Sequence, residues 1–183
     1  YRQRPGHKAS YIQGNTRLEW IWTGATLLLL IMLVFLSRPL WATIKERPLP
    51  DSSAITAQVR GTQFNWMIRY AGPDQLLGTE DDRQVENELH VPVDTEIWLS
   101  LTSEDVIHSF FVPQLRLKQD AVPGRDILVW FQATRPGVYE IACAELCGFG
   151  HGTMRGLLHV LSPDEYEAWK NRTWPPDTGG SAP

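Results

Sequence analysis

From Trp20 to Leu36 the chain reads Trp-Ile-Trp-Thr-Gly-Ala-Thr-Leu-Leu-Leu-Leu-Ile-Met-Leu-Val-Phe-Leu, without one charged residue. No other long run is so apolar, and it dictates where such a chain can reside. Leu40 and Trp41 extend it to the roughly 20 residues that a bilayer-crossing helix needs. Tryptophans at both ends occupy positions typical of interfacial aromatics. A buried core helix is a rival reading, but so uniform a leucine surface argues against it. A cleaved signal peptide is another, but no small-residue cleavage site follows and Arg38-Pro39 interrupts the end. The expectation is a transmembrane helix over 20–41, preceded by a segment 1–19 and followed by a linker 42–53.

Charge is divided unevenly about that helix. Residues 1–50 hold seven basic residues against two acids, and the remainder holds ten against nineteen. Arg2, Arg4, Lys8 and Arg17 precede the helix with no acid before Glu19, which places that side in the cytoplasm and residues 42 onward outside. Arg38, Lys45 and Arg47 weaken the contrast. A basic front and an acidic body fit a membrane anchor carrying an outward-facing domain. They do not fit a nucleic-acid binder.

Beyond the linker the pattern changes to short β-type runs separated by turn residues. The runs are 55–60, 63–70, 88–91, 95–102, 106–112, 126–132, 138–142 and 155–161. Pro92, Pro113, Pro123-Gly124 and Pro136-Gly137 divide them, so 54–161 reads as an all-β sandwich. Ser162-Pro163 has the cap and first-position signals of a short helix running towards Trp169, within a 162–183 segment whose end is Pro/Gly-rich. The acidic insertion 72–82 lacks EF-hand spacing and reads as a solvated hairpin loop rather than a calcium site.

The chemistry concentrates in Cys143-Ala-Glu-Leu-Cys-Gly-Phe-Gly-His-Gly-Thr-Met154, which contains both cysteines of the chain. His108 lies upstream in Asp-Val-Ile-His-Ser-Phe-Phe-Val-Pro. A plain disulfide would leave His151 and Met154 without purpose. Structural zinc would leave Met154 idle, and a mononuclear blue-copper site would leave one cysteine unemployed. A dinuclear copper site, with two thiolates each bridging the same pair of ions, employs all five side chains. Soft sulfur with imidazole suits copper that cycles through the cuprous state.

These residues carry a family resemblance. The His108 segment, Lys-Gln-Asp-Ala-Val-Pro-Gly (118–124) and Cys-Ala-Glu-Leu-Cys-Gly-x-x-His-x-x-Met resemble subunit II of the haem–copper cytochrome c oxidases. Gly14 to Thr23 resembles the start of that family's second membrane helix, so the likeness runs from about Gly14 to Leu161. It implies a cupredoxin-like Greek key and a mixed-valence copper pair, CuA, that passes electrons from a c-type cytochrome to haem in subunit I. Oxygen is reduced to water there, with proton pumping. The implied copper ligands are His108, Cys143, Cys147, His151, Met154 and the Glu145 backbone carbonyl, while the Glu145 carboxylate reaches a magnesium ion shared with subunit I. No Cys-x-x-Cys-His occurs, so no covalent c-type haem is expected on this chain. The implied location is a bacterial inner or plasma membrane with the copper domain on the outer side. Family members usually carry two membrane helices, and a first one is expected upstream of Tyr1.

Further positions are singled out. Phe64 stands where the family has a tryptophan thought to receive the electron, and Trp66 follows two residues on. Strand alternation would put both on one face, as one apolar entry contact beside the copper loop. Glu19 at the cytoplasmic mouth of the helix matches an acid at the family's proton-channel entrance. Asp120 and Arg125 are assigned by resemblance to the subunit I interface, whereas His7, His90 and His159 show no ligand partners in sequence. Arg69, within the docking stretch, would repel a lysine-ringed cytochrome, so the expected donor is a c-type haem protein bound in the membrane or held in a complex. The rival functions are the CuA subunit of a nitric oxide or nitrous oxide reductase, and a membrane-tethered copper chaperone or electron carrier.

Overall fold

The computed structural model describes residues 5–6, 8, 11, 13–47 and 55–174. His7, residues 48–53 of the expected linker and the tail beyond Trp174 lie outside the described residues. The chain divides into two units, Tyr1–Leu49 and Pro50–Pro183.

Among the described residues the first unit holds one helix, α1 (Thr16–Lys45), long and apolar enough to cross a membrane. Its 30 residues span about 45 Å at 1.5 Å per residue, which exceeds the hydrocarbon core of a bilayer. The Asn15 side chain caps it by accepting from the Leu18 N–H at 3.2 Å. Arg38-Pro39 does not interrupt the helix: α1 continues six residues past Pro39, four beyond the expected end at Trp41. Thr43 donates its hydroxyl to the Pro39 carbonyl at 3.0 Å, and Ser37 donates to Val34 at 3.2 Å. Such local adjustments are how membrane helices tolerate proline. Arg38 and Glu46 form an ion pair of 2.8 Å at this end.

The second unit is a sandwich of two five-stranded sheets. In chain order the strands are β1 (Ile55–Thr62), β2 (Asn65–Tyr70), β3 (Arg83–Glu86), β4 (Glu88–Pro92), β5 (Glu96–Ser103), β6 (His108–Val112), β7 (Leu117–Ala121), β8 (Ile127–Gln132), β9 (Gly137–Cys143) and β10 (Arg155–Leu161). One sheet is ordered β3-β2-β1-β5-β8 and the other β4-β10-β9-β6-β7. The β1–β5 and β4–β10 pairs are parallel, and the other pairs are antiparallel. These crossed connections make the expected cupredoxin-like Greek key.

Alternation explains the layers. Val59, Trp66, Ile68, Leu89, Leu99, Leu101, Phe110, Ile141 and Leu158 are all fully buried between the sheets, and each large aliphatic or aromatic contributes about 1.5–3 kcal/mol. Two strands are additional to those read from the sequence. β3 pairs with β2 after the acidic insertion, and β7 pairs with β6 within the Lys118–Gly124 motif. Both are short edge strands without clear apolar alternation. The 63–70 run is shortened to β2 because Gln63-Phe64 forms the turn between Thr62 and Asn65, which face each other across the hairpin.

Helix α2 (Pro163–Thr173) begins where its signals indicate. Ser162 and Glu165 form a reciprocal capping box, satisfying two orphan donors at once. Trp169 carries α2 onto the sandwich, its ring 5.0 Å from that of Tyr70.

Candidate metal centre

Register brings the first two groups of the site together. β6 begins at His108 and pairs antiparallel with β9, placing Phe110 opposite Cys143, the last residue of β9. The loop 144–154 then leaves β9 and re-enters the sheet at β10, held at its root by Cys143 N–H donating to Met154 O at 3.2 Å and Ala144 N–H to Ser109 O at 2.9 Å. A short 3-10 turn, His151–Thr153, closes it. Thr153 secures that turn by donating its hydroxyl to the Gly150 carbonyl at 2.8 Å. Gly148 takes a φ of +140°, which an L side chain would strain.

Around the loop the donors converge. Both cysteines are free and buried, with Sγ atoms 3.8 Å apart. Each thiol faces its own imidazole: Cys143 Sγ is 3.9 Å from His108 Nδ1, and Cys147 Sγ is 3.6 Å from His151 Nδ1. Met154 Sδ stands 3.9 Å from Cys147 Sγ on one side. On the other, Cys143 Sγ is 3.2 Å from the Glu145 backbone carbonyl. Met154 is buried, whereas the Glu145 residue is exposed, so its carbonyl turns to the thiols while the residue remains open to the surface. All six residues expected as copper ligands meet here.

This arrangement fits copper. The donor set is soft and pairs each of two thiols with its own imidazole. Burial, reinforced by the neighbouring Cys143 thiol, pushes the Cys147 thiol up to about 11. An entering cation must therefore displace thiol protons, which couples metal loading to proton release.

Supporting residues were not singled out from the sequence. His108 turns Nε2 to Asp105 Oδ1 at 2.8 Å, leaving Nδ1 for the thiol side. A carboxylate behind a ligating imidazole fixes its tautomer and orientation. Asp105 also accepts from the Val106 N–H at 2.6 Å and the Gln63 N–H at 2.7 Å. Burial opposes the charge of Asp105, but these bonds and the His108 contact hold its carboxyl below the usual carboxylate range. Gln63 donates its side-chain amide to the Cys147 carbonyl at 2.5 Å, tying the β1–β2 turn to the loop. The available signals were Asp105 three residues before His108 and Gln63 at the start of the 63–70 run.

The expected pairing of Phe64 with Trp66 on one exposed face is not what forms. Phe64 lies in the β1–β2 turn, where strand alternation does not apply, and its ring lies over Gly148 and Gly150. Trp66, on β2, is fully buried, edge-on to His108 with ring centroids 6.0 Å apart. On the loop between the two thiols and Met154, Phe149 is fully exposed, and Leu146 is exposed as well. Arg69 faces Asp82 at 3.9 Å and sits about 16 Å along the strand from Phe64. Asp120 accepts from the Ser109 hydroxyl at 2.7 Å, behind the site. Glu19 lies in the first turn of α1, within the other unit and exposed.

A family model described as the cytochrome c oxidase subunit II periplasmic domain matches residues 69–160. The chain belongs to this family. Cytochrome c oxidase subunit 2 of Synechocystis sp. is 38% identical over 128 residues, covering 70% of this chain and 36% of that protein. The chain thus spans little more than a third of that relative's length. The crystal structure of the periplasmic domain of subunit II from Bradyrhizobium japonicum is 28% identical with a TM-score of 0.59, covering 68% of this chain and 96% of that one. A mixed disulfide between a thioredoxin-like protein and a subunit II domain aligns at 30% identity and TM-score 0.56, over 69% of this chain and 95% of that one. These subunit II structures share the cupredoxin-like sandwich from which the Cys143–Met154 loop projects.

Proposed function

We propose that this chain is the copper-bearing subunit of a haem–copper terminal oxidase, anchored in a bacterial membrane by α1 with its sandwich on the outer side. The observation that carries the reading is the pair of thiols 3.8 Å apart, each facing a separate imidazole. Cys143 and Cys147 would hold both ions, His108 and His151 one each, with Met154 and the Glu145 carbonyl as outer donors. When bound, such a copper pair supplies one-electron transfer without making or breaking a substrate bond.

The chain's own residues prepare that task. Asp105 orients His108, Gln63 pins the loop at Cys147, and the core beneath excludes water. A site so constrained changes little on gaining or losing an electron, so little reorganisation opposes transfer. Electrons come from a c-type haem protein, membrane-bound or held in a complex, and leave to haem in subunit I, where oxygen is reduced and protons are pumped. The acidic balance of the outer domain attracts a locally basic donor in a salt-dependent manner. Phe64 and Phe149 form the apolar entry surface, and Trp66 supports His108 from within. The Glu145 carboxylate reaches a magnesium ion at the subunit I boundary, Asp120 and Arg125 line that boundary, and Glu19 admits protons on the cytoplasmic side. A thioredoxin-like protein, such as the one joined to a related domain in a mixed disulfide, would keep the thiols reduced before copper enters.

Isolation from the native membrane tests the assembly. A copurifying large subunit that binds haem and consumes oxygen supports the oxidase. One that reduces nitric oxide instead moves the chain to the corresponding reductase. With Glu145→Gln, copper should remain while manganese substituted at the boundary binds more weakly; unchanged manganese binding refutes that role.

A further inference from the structure

On the outer face of the second sheet, three potential ligands meet that the copper centre does not use. β4 and β10 run parallel with His90 directly opposite His159. Glu88 precedes His90 by two residues and therefore projects from the same face. One ligand atom from each of Glu88, His90 and His159 lies within 4.8 Å of the others. The two imidazoles stack with centroids 4.4 Å apart and planes 5° from parallel, and Trp169 of α2 stacks on His90 at 4.8 Å. His90 Nδ1 and His159 Nε2 are buried without hydrogen-bond partners. An aromatic stack alone accounts for neither the orphaned nitrogens nor the carboxylate held 3.9 Å from His90 Nε2.

We propose that Glu88, His90 and His159 form a second metal site, separate from the Cys143–Met154 centre, that takes zinc. Two imidazoles and a carboxylate suit this borderline divalent ion, and with no thiolate they do not suit cuprous copper. Zinc holds such ligands tetrahedrally at about 2.0–2.2 Å, so donors sharing one ion end about 3.4 Å apart. From the present spacing the three groups need to close by up to about 1.4 Å. Glu88, exposed, closes by changing rotamer. Ring lone pairs lie in the ring planes, so one imidazole must turn out of the parallel stack. Burial, then His159 and Arg172, push the His90 imidazole down to about 4 against the pull of Glu88. Arg172, which also lowers it, opposes the incoming charge. β4 is the edge strand of its sheet, and a bound ion pins it to β10.

The test uses the full-length, tag-free chain with its copper centre already loaded, titrated with zinc against a competing chelator. The expected result is one zinc per chain beyond copper, a changed tryptophan emission as the stack on Trp169 opens, and an unaltered copper spectrum. Glu88→Gln, at an exposed position, and His159→Gln should each weaken zinc binding by about tenfold or more. Absence of zinc uptake at micromolar concentration, or unchanged affinity in both variants, overturns the proposal. Displacement of copper by the added zinc overturns it equally.

Discussion

Gly61 of one sheet lies against the imidazole of His108 on the other, so closely that a Cβ at Gly61 would come within 2.8 Å of His108 Cδ2. The absence of a side chain on β1 is what lets the ring stand with Nδ1 towards Cys143 and Nε2 towards Asp105. Gly61→Ala should displace the ring, lower stability by about 1–3 kcal/mol as overpacking does, and distort the copper absorption bands. Spectra and thermal unfolding of the loaded chain check this. An unchanged spectrum would mean that the ring has more room than the geometry shows.

Asp105 acts through His108. Asp105→Ala removes the acceptor behind the imidazole and should lower copper affinity by about 10–100-fold. Competition with a copper chelator measures it. Asp120→Ala, which loses the bond from Ser109 and the surface ion pair with Lys118 but touches no donor of the site, provides the comparison and should leave copper affinity near its original value.

Asp120 itself makes a pH prediction. Its hydrogen bond from Ser109, opposed by burial and aided by Lys118, holds its carboxyl below the usual carboxylate range. A depressed acid stabilises the fold fully above its unfolded value of about 3.9, and that contribution disappears as pH falls through the lower folded value. The metal-free chain should therefore lose stability below about pH 4, and Asp120→Asn should lose less over the same interval. Because Asp120 is half-exposed, the difference is small. Denaturant midpoints across pH, read for both proteins, decide it.

Much of this was legible in the sequence because it is local. The apolar run marks α1, Ser162-Pro163 marks α2, and five of the six expected copper ligands fall within twelve residues. Alternation in 95–102 and 155–161 gives the central strands. What was missed depends on pairing between distant segments. The contact between Gly61 and His108 needs both sheets, and the cluster of His90 with His159 needs the parallel β4–β10 register. Trp66 looked available to a donor because strand periodicity was carried back through Phe64, where the chain turns. β3 and β7 are short edge strands whose polar residues give little periodic signal.

Phe149 is the exposed aromatic on the copper loop, and Gly148 and Gly150 on either side contribute no side chains. Phe149→Ser should leave the copper spectrum intact and slow electron entry from a c-type cytochrome by about tenfold, the loss of one apolar anchor of about 1.4 kcal/mol. Stopped-flow reduction of the purified complex reads it directly. Equal rates would place the entry point elsewhere, with Phe64 the next residue to change.

The central claim is that two thiols hold two copper ions as one electronic unit, and the EPR spectrum of the oxidised, copper-loaded chain tests it most directly. The account predicts a hyperfine pattern from one unpaired electron shared equally by two copper nuclei, abolished in Cys147→Ser. A pattern from a single copper nucleus in the unaltered chain would contradict it.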